Sequence, residues 1–478
     1  MSELRLDEDR FFDSDSAIRK VARELYAETK SLPLICPHGH VDAKLLAENR
    51  RFPNPAALLI NSDPSVVRLL YSQGVALERL GIAALTGISV ESDPKKIWKL
   101  FAERFHLFLG TPAGLWMNYV LHELFDIRVK LTASTALEVY DAIEEKLSSA
   151  EYRPRALFDR FNIEVLATTD SAIDSLDHHA NIRTSGWHGR VIPTFRPDAL
   201  FQIANSAWRG EFAKLESLHF NPITNIASFV RALGIRRSAF KAMGATATDH
   251  GVTYPYTAAL DSHTANQIFA RALQGSATGD DQRRFQAHML MQMADLSLAD
   301  GLVMQLHAGV LRNHNEQVVQ HFGANVGGDI PIATEFTRNL RPLLNAYGND
   351  PRFRLILFTV DETTYARELA PIAGHYPSVR LGSAWWFNDS IEGMQRFRQQ
   401  TTETAGIWNT TGFSDDTRAF CSIPAQHDLS RRIDANYLGG LVARSVVDME
   451  DARIMARAMA YELARDSYNL APAANCGR

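Results

Sequence analysis

The chain has little of the material from which cross-linked, membrane-spanning or nucleic-acid-binding proteins are made. Its 478 residues include three cysteines, Cys36, Cys421 and Cys476, too few and too scattered for a disulfide framework. No run of about 18 apolar residues occurs, so no membrane span is expected. The N-terminus, MSELRLDEDRFFDSDS, is acidic and lacks a charged segment followed by an apolar one, and the protein is read as cytoplasmic. There is no block of Lys and Arg, and the formal net charge is −5. Neither a nucleic acid nor an anionic membrane is therefore an expected partner. Low-complexity stretches and fixed-period repeats are also missing.

What is present is an ordinary globular composition, 46% hydrophobic and 22% charged, with ample material for a large core. A small-molecule substrate is the expected partner, and a homo-oligomer the expected assembly. Eight segments rich in Val, Ile, Leu, Phe or Thr read as buried strands: 32–40, 163–170, 191–198, 242–251, 301–309, 352–361, 379–389 and 406–416. Helical patterns such as EFTRNLRPLLNAYG at 335–348 and SIEGMQRFRQQTTETAG at 390–406 separate most of them. Strands alternating with helices predict a parallel α/β fold, and eight units predict a (β/α)8 TIM-type barrel forming a single domain over 1–478. Residues 43–160 interrupt the alternation and read as a large helical insertion after the first strand. In it Asp93 and Pro94 suit an N-cap and first-turn proline, and Ile97, Trp98, Phe101, Phe105 and Phe108 fall on one face.

Barrel chemistry collects at the C-terminal ends of strands, and here those ends carry HGH, TTD, RPD, TDHG, QLHAG, WWFND and SDDTR. His38 and His40, one residue apart at the end of the first strand, project the same way and can meet one cation. His307 ends the fifth strand and Asp416 the eighth, so nitrogen and carboxylate groups reach one mouth in a combination that suits Zn²⁺ or a similar divalent ion. His307 reads equally as a ligand or as a hydrogen-bonded neighbour of the site. Arg196, Arg312 and Arg418 stand at or just after strand ends, and guanidinium forks converging on one mouth point to an acidic substrate. Trp385, Trp386 and Asp389 end the seventh strand, where rings stack on sugar C–H faces and a carboxylate bonds hydroxyls. The ligand set also suits a metal-dependent hydrolase of a lactone or amide, with Asp416 accepting a proton from water.

In their order, PHGHVD, TTD, TFRPD, TDHG, MQLHAGVLRNHN, WWFND and DDTR resemble the uronate (glucuronate) isomerases of the amidohydrolase superfamily. The similarity covers nearly the whole chain, including Trp98, Phe101 and 110-GTPAGLW-116. It implies interconversion of D-glucuronate with D-fructuronate and of D-galacturonate with D-tagaturonate. It further implies that His38, His40 and Asp416 hold the metal with His307 nearby, that Arg196 and Arg418 address the substrate, and that Asp416 takes part in proton movement. Two stretches depart from the family pattern. Pro64 and Ser65, in 63-DPSVVR-68, stand where an Asp-His-Tyr run has His and Tyr, and IPAQHDLSRR at 423–432 keeps only His427, Arg431 and Arg432 of an Arg-His pattern.

Overall fold

The computed structural model describes residues 3–85, 87–219 and 221–470, so Cys476 lies outside the described residues. Cys36 and Cys421 are buried free thiols. The apolar segments form eleven short strands: β1 (Leu34–Cys36), β2 (Ile163–Ala167), β3 (Asp170–Ser171), β4 (Val191–Ile192), β5 (Phe195–Arg196), β6 (Ala247–Val252), β7 (Val303–Ala308), β8 (Val310–Leu311), β9 (Ile330–Pro331), β10 (Leu355–Thr359) and β11 (Val379–Leu381). The pairs are parallel except for the β8–β9 hairpin.

One sheet runs β1-β2-β4 and another β11-β10-β7-β6-β5-β3. They are joined because β2 and β3 continue one segment and β4 and β5 another. Between those segments the N–H groups of Thr168 and Asp170 donate to the carbonyls of Ile192 and Thr194 at 2.9 and 3.0 Å. At the far edge Thr410 bridges Leu381 of β11, and the N–H of His40 donates to the Thr417 carbonyl at 2.8 Å. The hydrogen bonds thus run through all eight segments and return to the first, the order of a (β/α)8 fold.

Most expected elements are shorter than the pattern suggested: 32–40 forms a strand only over Leu34–Cys36, and 379–389 only over Val379–Leu381. The eighth segment, 406–416, pairs only at Thr410, because Gly406 and Gly412 both sit at φ 70° and interrupt the extended backbone. The helix expected over 335–348 forms only as Arg341–Tyr347, with Pro342 in its first turn, where a missing N–H is harmless. The helix over 390–406 forms as Ile391–Ala405.

Between β1 and β2 the described residues of 43–160 are helices and turns with no ladder strand. The helix Pro94–Glu103 starts where the Asp93 carboxylate accepts the Lys95 N–H at 2.9 Å, and it buries Trp98 and Phe101 completely. These aromatic residues share one core with Leu34 and Cys36 of β1 and Leu166 of β2, so the insertion is packed against the first two strands. No helix among the described residues is long and apolar enough to cross a membrane.

Period-two alternation sorts the strand residues. Leu355 and Leu357 of β10 pack with the surrounding helices, whereas Ile356 and Phe358 share a cluster with Ile35, Ala247 and Val303 from other strands. Tyr468, from the last helical turns, enters that inner cluster and donates its hydroxyl to Gln305 at 2.8 Å. The same alternation carries Asp249, two residues after Ala247, and His307, four after Val303, onto the inner face.

Phe358 stacks on Trp385 with centroids 3.5 Å apart and planes 12° apart, and Trp385 lies 4.7 Å from the His38 ring. Gly382 makes that stack possible, since a Cβ there would fall 2.0 Å from a Phe358 ring carbon. Gly382→Ala is expected to lower stability by about 1–3 kcal/mol or more through forced repacking. A urea midpoint equal to that of the unsubstituted protein would refute this account of the stack.

Candidate active site

The strand ends open onto a cavity of about 460 Å³, within the range usual for small-ligand sites. His38 and His40 enter it just beyond β1, and Asp416 enters it from the irregular eighth segment. Both imidazole Nε2 atoms lie 3.3 Å from Asp416 Oδ1. His38 and Asp416 are almost fully buried, yet Asp416 Oδ1 makes no hydrogen bond. Two nitrogen donors and a carboxylate oxygen converging on one point without hydrogen bonds form a donor set that fits a divalent ion.

Burial alone would push the Asp416 carboxyl up, but the imidazoles of His38 and His40 hold it well below the usual carboxylate range. Burial pushes the His40 imidazole down to about 4, so that ring is neutral and able to ligate at neutral pH. The other carboxylate oxygen, Oδ2, accepts the Trp386 indole N–H at 2.8 Å. Asp416 and Trp386 both have left-handed backbones, with φ 43° and 51°, a conformation costly for non-glycine residues and concentrated at functional sites.

The structure brings the expected site residues to one cavity and separates their surroundings. His307 lines the cavity, but its Nε2 lies 3.3 Å from Asp249 and its ring is outside the three-residue donor group. Arg196 spends its fork on two carboxylates, Asp198 at 2.8 Å and Asp249 at 3.1 Å. Burial would lower its proton affinity, and these two acids raise it instead. Arg312 pairs with Asp329 at 3.3 Å and stacks over Trp386 at 5.0 Å. Arg418 lines the cavity with no carboxylate in ion-pair reach among the described residues, and burial lowers its proton affinity. Trp385 is a buried platform under His38, whereas Trp386 contacts Asp416 directly. Asp389 is partly buried, with its Oδ1 enclosed and unpartnered, and burial, followed by the charges of Asp416, Asp415 and Asp63, raises its carboxyl well above the normal range.

Asp249 went unremarked in the sequence although TDHG ends the fourth strand. It is fully buried between Arg196 and His307; burial would raise its carboxyl, but His307, Arg196 and His38 hold it well below the usual range. The strand period of β6 carries the signal that would have found it. Gly251 belongs to the same arrangement: its N–H donates to Asp198 at 3.0 Å, and a Cβ there would fall 2.7 Å from an Arg196 nitrogen.

Asp415, adjacent to Asp416, turns its Oδ2 to His427 Nε2 at 3.1 Å, and the Cys36 thiol lies 3.7 Å from the same nitrogen. All three are buried, and their ligand atoms form a second group close enough together to hold a cation, separate from His38, His40 and Asp416.

Fold and site together define an α/β-barrel protein with a charged, cation-ready centre at its strand ends. A family model described as glucuronate isomerase matches residues 9–468, and the chain belongs to that family. A uronate isomerase of Rhizorhabdus wittichii is 50% identical over 467 residues, covering 98% of this chain and 99% of the relative. The crystal structure of glucuronate isomerase from Caulobacter crescentus superimposes with TM-score 0.97 at 45% identity, covering 100% of this chain and 99% of that one. Uronate isomerase from Thermotoga maritima superimposes with TM-score 0.90 at 26% identity, covering 97% and 99% respectively.

Asp415→Asn is expected to leave the His38, His40 and Asp416 donors in place but to lower stability by about 1.5–3 kcal/mol, through loss of a charged hydrogen bond to His427. Urea unfolding and elemental analysis check this. Metal loss without loss of stability would mean that Asp415, not Asp416, belongs to the donor set.

Proposed function

We propose that the chain is an aldose-ketose isomerase that interconverts D-glucuronate with D-fructuronate and D-galacturonate with D-tagaturonate. The observation that carries the reading is the full-length likeness to uronate isomerases, joined to a cavity lined by guanidinium groups beside the His38–His40–Asp416 group. The core shared by the insertion and the first strands supports treating 1–478 as one domain.

The reaction removes the C2 proton of the open-chain aldehyde, passes through an enediolate and delivers a proton to C1, while the O2 hydroxyl proton moves to O1. It needs a proton carrier near C1 and C2 and positive charge beside the two oxygens. A divalent ion, which we assign as Zn²⁺, would be held by His38, His40 and Asp416 and would supply positive charge to substrate oxygens. In this reading Asp416 carries the proton. Its depressed proton affinity makes it a weak base, so the C–H bond must be acidified by charge at the neighbouring oxygen. Arg418, with no ion pair among the described residues, supplies that charge. His307, fixed by Asp249, faces the same cavity and is assigned to exchanging a hydroxyl proton. Asp389, whose carboxyl burial raises, is assigned to hydrogen-bond a sugar hydroxyl, with Arg196, Arg312 and the indoles of Trp385 and Trp386 completing the substrate surround.

Incubation with D-glucuronate is expected to yield a ketose, detected by a ketose-specific colour reaction or a coupled ketose reductase, and the absence of any ketose would end the reading. Asp416→Asn is expected to lower turnover at least about 10²-fold while circular dichroism stays unchanged. Chelated protein, shown metal-free by elemental analysis, is expected to keep measurable isomerase activity, because proton transfer between adjacent carbons consumes no water. Asp416→Asn should therefore be the more severe change. A dead stripped enzyme, fully restored by metal and paired with a mild Asp416→Asn, would overturn the proton-carrier role.

A further inference from the structure

Besides the His38–His40–Asp416 group, the described residues hold a second cluster of metal-ligating atoms that the isomerase reading leaves unused. The Cys36 sulfur, an Asp415 carboxylate oxygen and a His427 ring nitrogen all lie within 4.8 Å of one another. Cys36 ends β1, Asp415 belongs to the eighth segment, and His427 lies in the second turn of the helix Ile423–Ala443. The first and last parts of the barrel therefore meet here as they do at the other group. Cys36 stands two residues before His38, and Asp415 one residue before Asp416.

Hydrogen bonding alone accounts poorly for the geometry. His427 Nε2 faces both Asp415 Oδ2 at 3.1 Å and Cys36 Sγ at 3.7 Å. A ring nitrogen carries either one proton or one lone pair along a single in-plane direction, so it cannot serve two partners equally. An ion standing in that direction touches all three. The spacing suits Zn²⁺: with Zn–N and Zn–O bonds of about 2.0–2.1 Å and a Zn–S bond of about 2.3 Å, tetrahedral coordination sets N and O about 3.3 Å apart and N and S about 3.6 Å apart. In the first group both nitrogen–oxygen separations are 3.3 Å, the same ligand spacing.

Burial and donor type point the same way. Cys36 is completely buried, and Asp415 and His427 are 2% and 3% exposed. Cys36 and His427 do not line the substrate cavity, so the group is closed, as structural metal sites are. Sulfur, imidazole and carboxylate together favour a borderline-soft ion over Mg²⁺ or Ca²⁺, which take oxygen ligands. On binding, the thiol proton leaves to solvent, and the resulting thiolate and the carboxylate cancel the two charges of the ion.

We propose that Cys36, Asp415 and His427 hold a second zinc ion, a structural one, that clips β1 to the eighth segment and to the helix behind it. By fixing Asp415 it fixes the backbone from which Asp416 turns into the cavity. The site stands independently of the isomerase reading.

Protein produced in cells supplied with Co²⁺ in place of zinc provides the test, because the ion then meets the group before folding closes over it. The unsubstituted protein is expected to carry about two metal ions per chain, counted by elemental analysis. It is also expected to show a near-ultraviolet sulfur-to-cobalt charge-transfer band, which the His38–His40–Asp416 group, having no sulfur, cannot produce. Cys36→Ser is expected to lose the band and about one ion per chain. His427→Gln, which leaves the thiol in place, is expected to do the same and serves if Cys36→Ser fails to fold. His38→Asn is expected to keep the band while losing the other ion. Absence of the band from the unsubstituted protein, or its survival in either Cys36→Ser or His427→Gln, would overturn the site.

Discussion

The site depends on keeping the carboxylate of Asp416 charged in a place that water scarcely reaches. An isolated buried charge costs several kcal/mol, and surrounding groups must offset that cost. Here His38 and His40 stand on one oxygen and the Trp386 indole on the other. The left-handed backbones of Trp386 and Asp416 turn those groups toward each other. A regular eighth strand would forbid that turn at Asp416. Gly406 and Gly412, which end the extended conformation, are therefore part of the same arrangement as the carboxylate.

Three other acids crowd the region, and each is accommodated differently. Asp249 is paired with Arg196 and His307, Asp415 is held by His427, and burial raises the proton affinity of Asp389. The division leaves Asp389 with a raised proton affinity and Asp416 with a lowered one, two carboxyls in one cavity set apart by their surroundings. Parallel pairing of Phe195 with Thr248 puts the neighbouring Arg196 beside Asp249.

Much of this was legible in the sequence because barrel strands end where chemistry collects. The positions of His38, His40, His307 and Asp416 at strand ends followed from short apolar runs ending in polar residues, and the structure opens all four onto one cavity. Asp249 was readable from the period of β6, but its polar neighbours Thr248 and His250 obscured which face it took. The engagement of Arg196 was beyond reach, since it depends on register between strands about fifty residues apart in sequence.

The donor group also sets a timetable for the growing chain. The Ser414 hydroxyl donates to the His38 carbonyl across 376 residues, and Tyr468 must still come to fill the interior beside Gln305. At a ribosomal rate of about 5–20 residues per second, the first histidines wait roughly 20–75 s for the segment that completes them. Through that interval β1 has its β2 neighbour and the insertion to pack against, but no eighth segment. A nascent or truncated chain therefore exposes a bare strand edge beside two uncommitted imidazoles, and the His38–His40–Asp416 group is whole only once the eighth segment has been made.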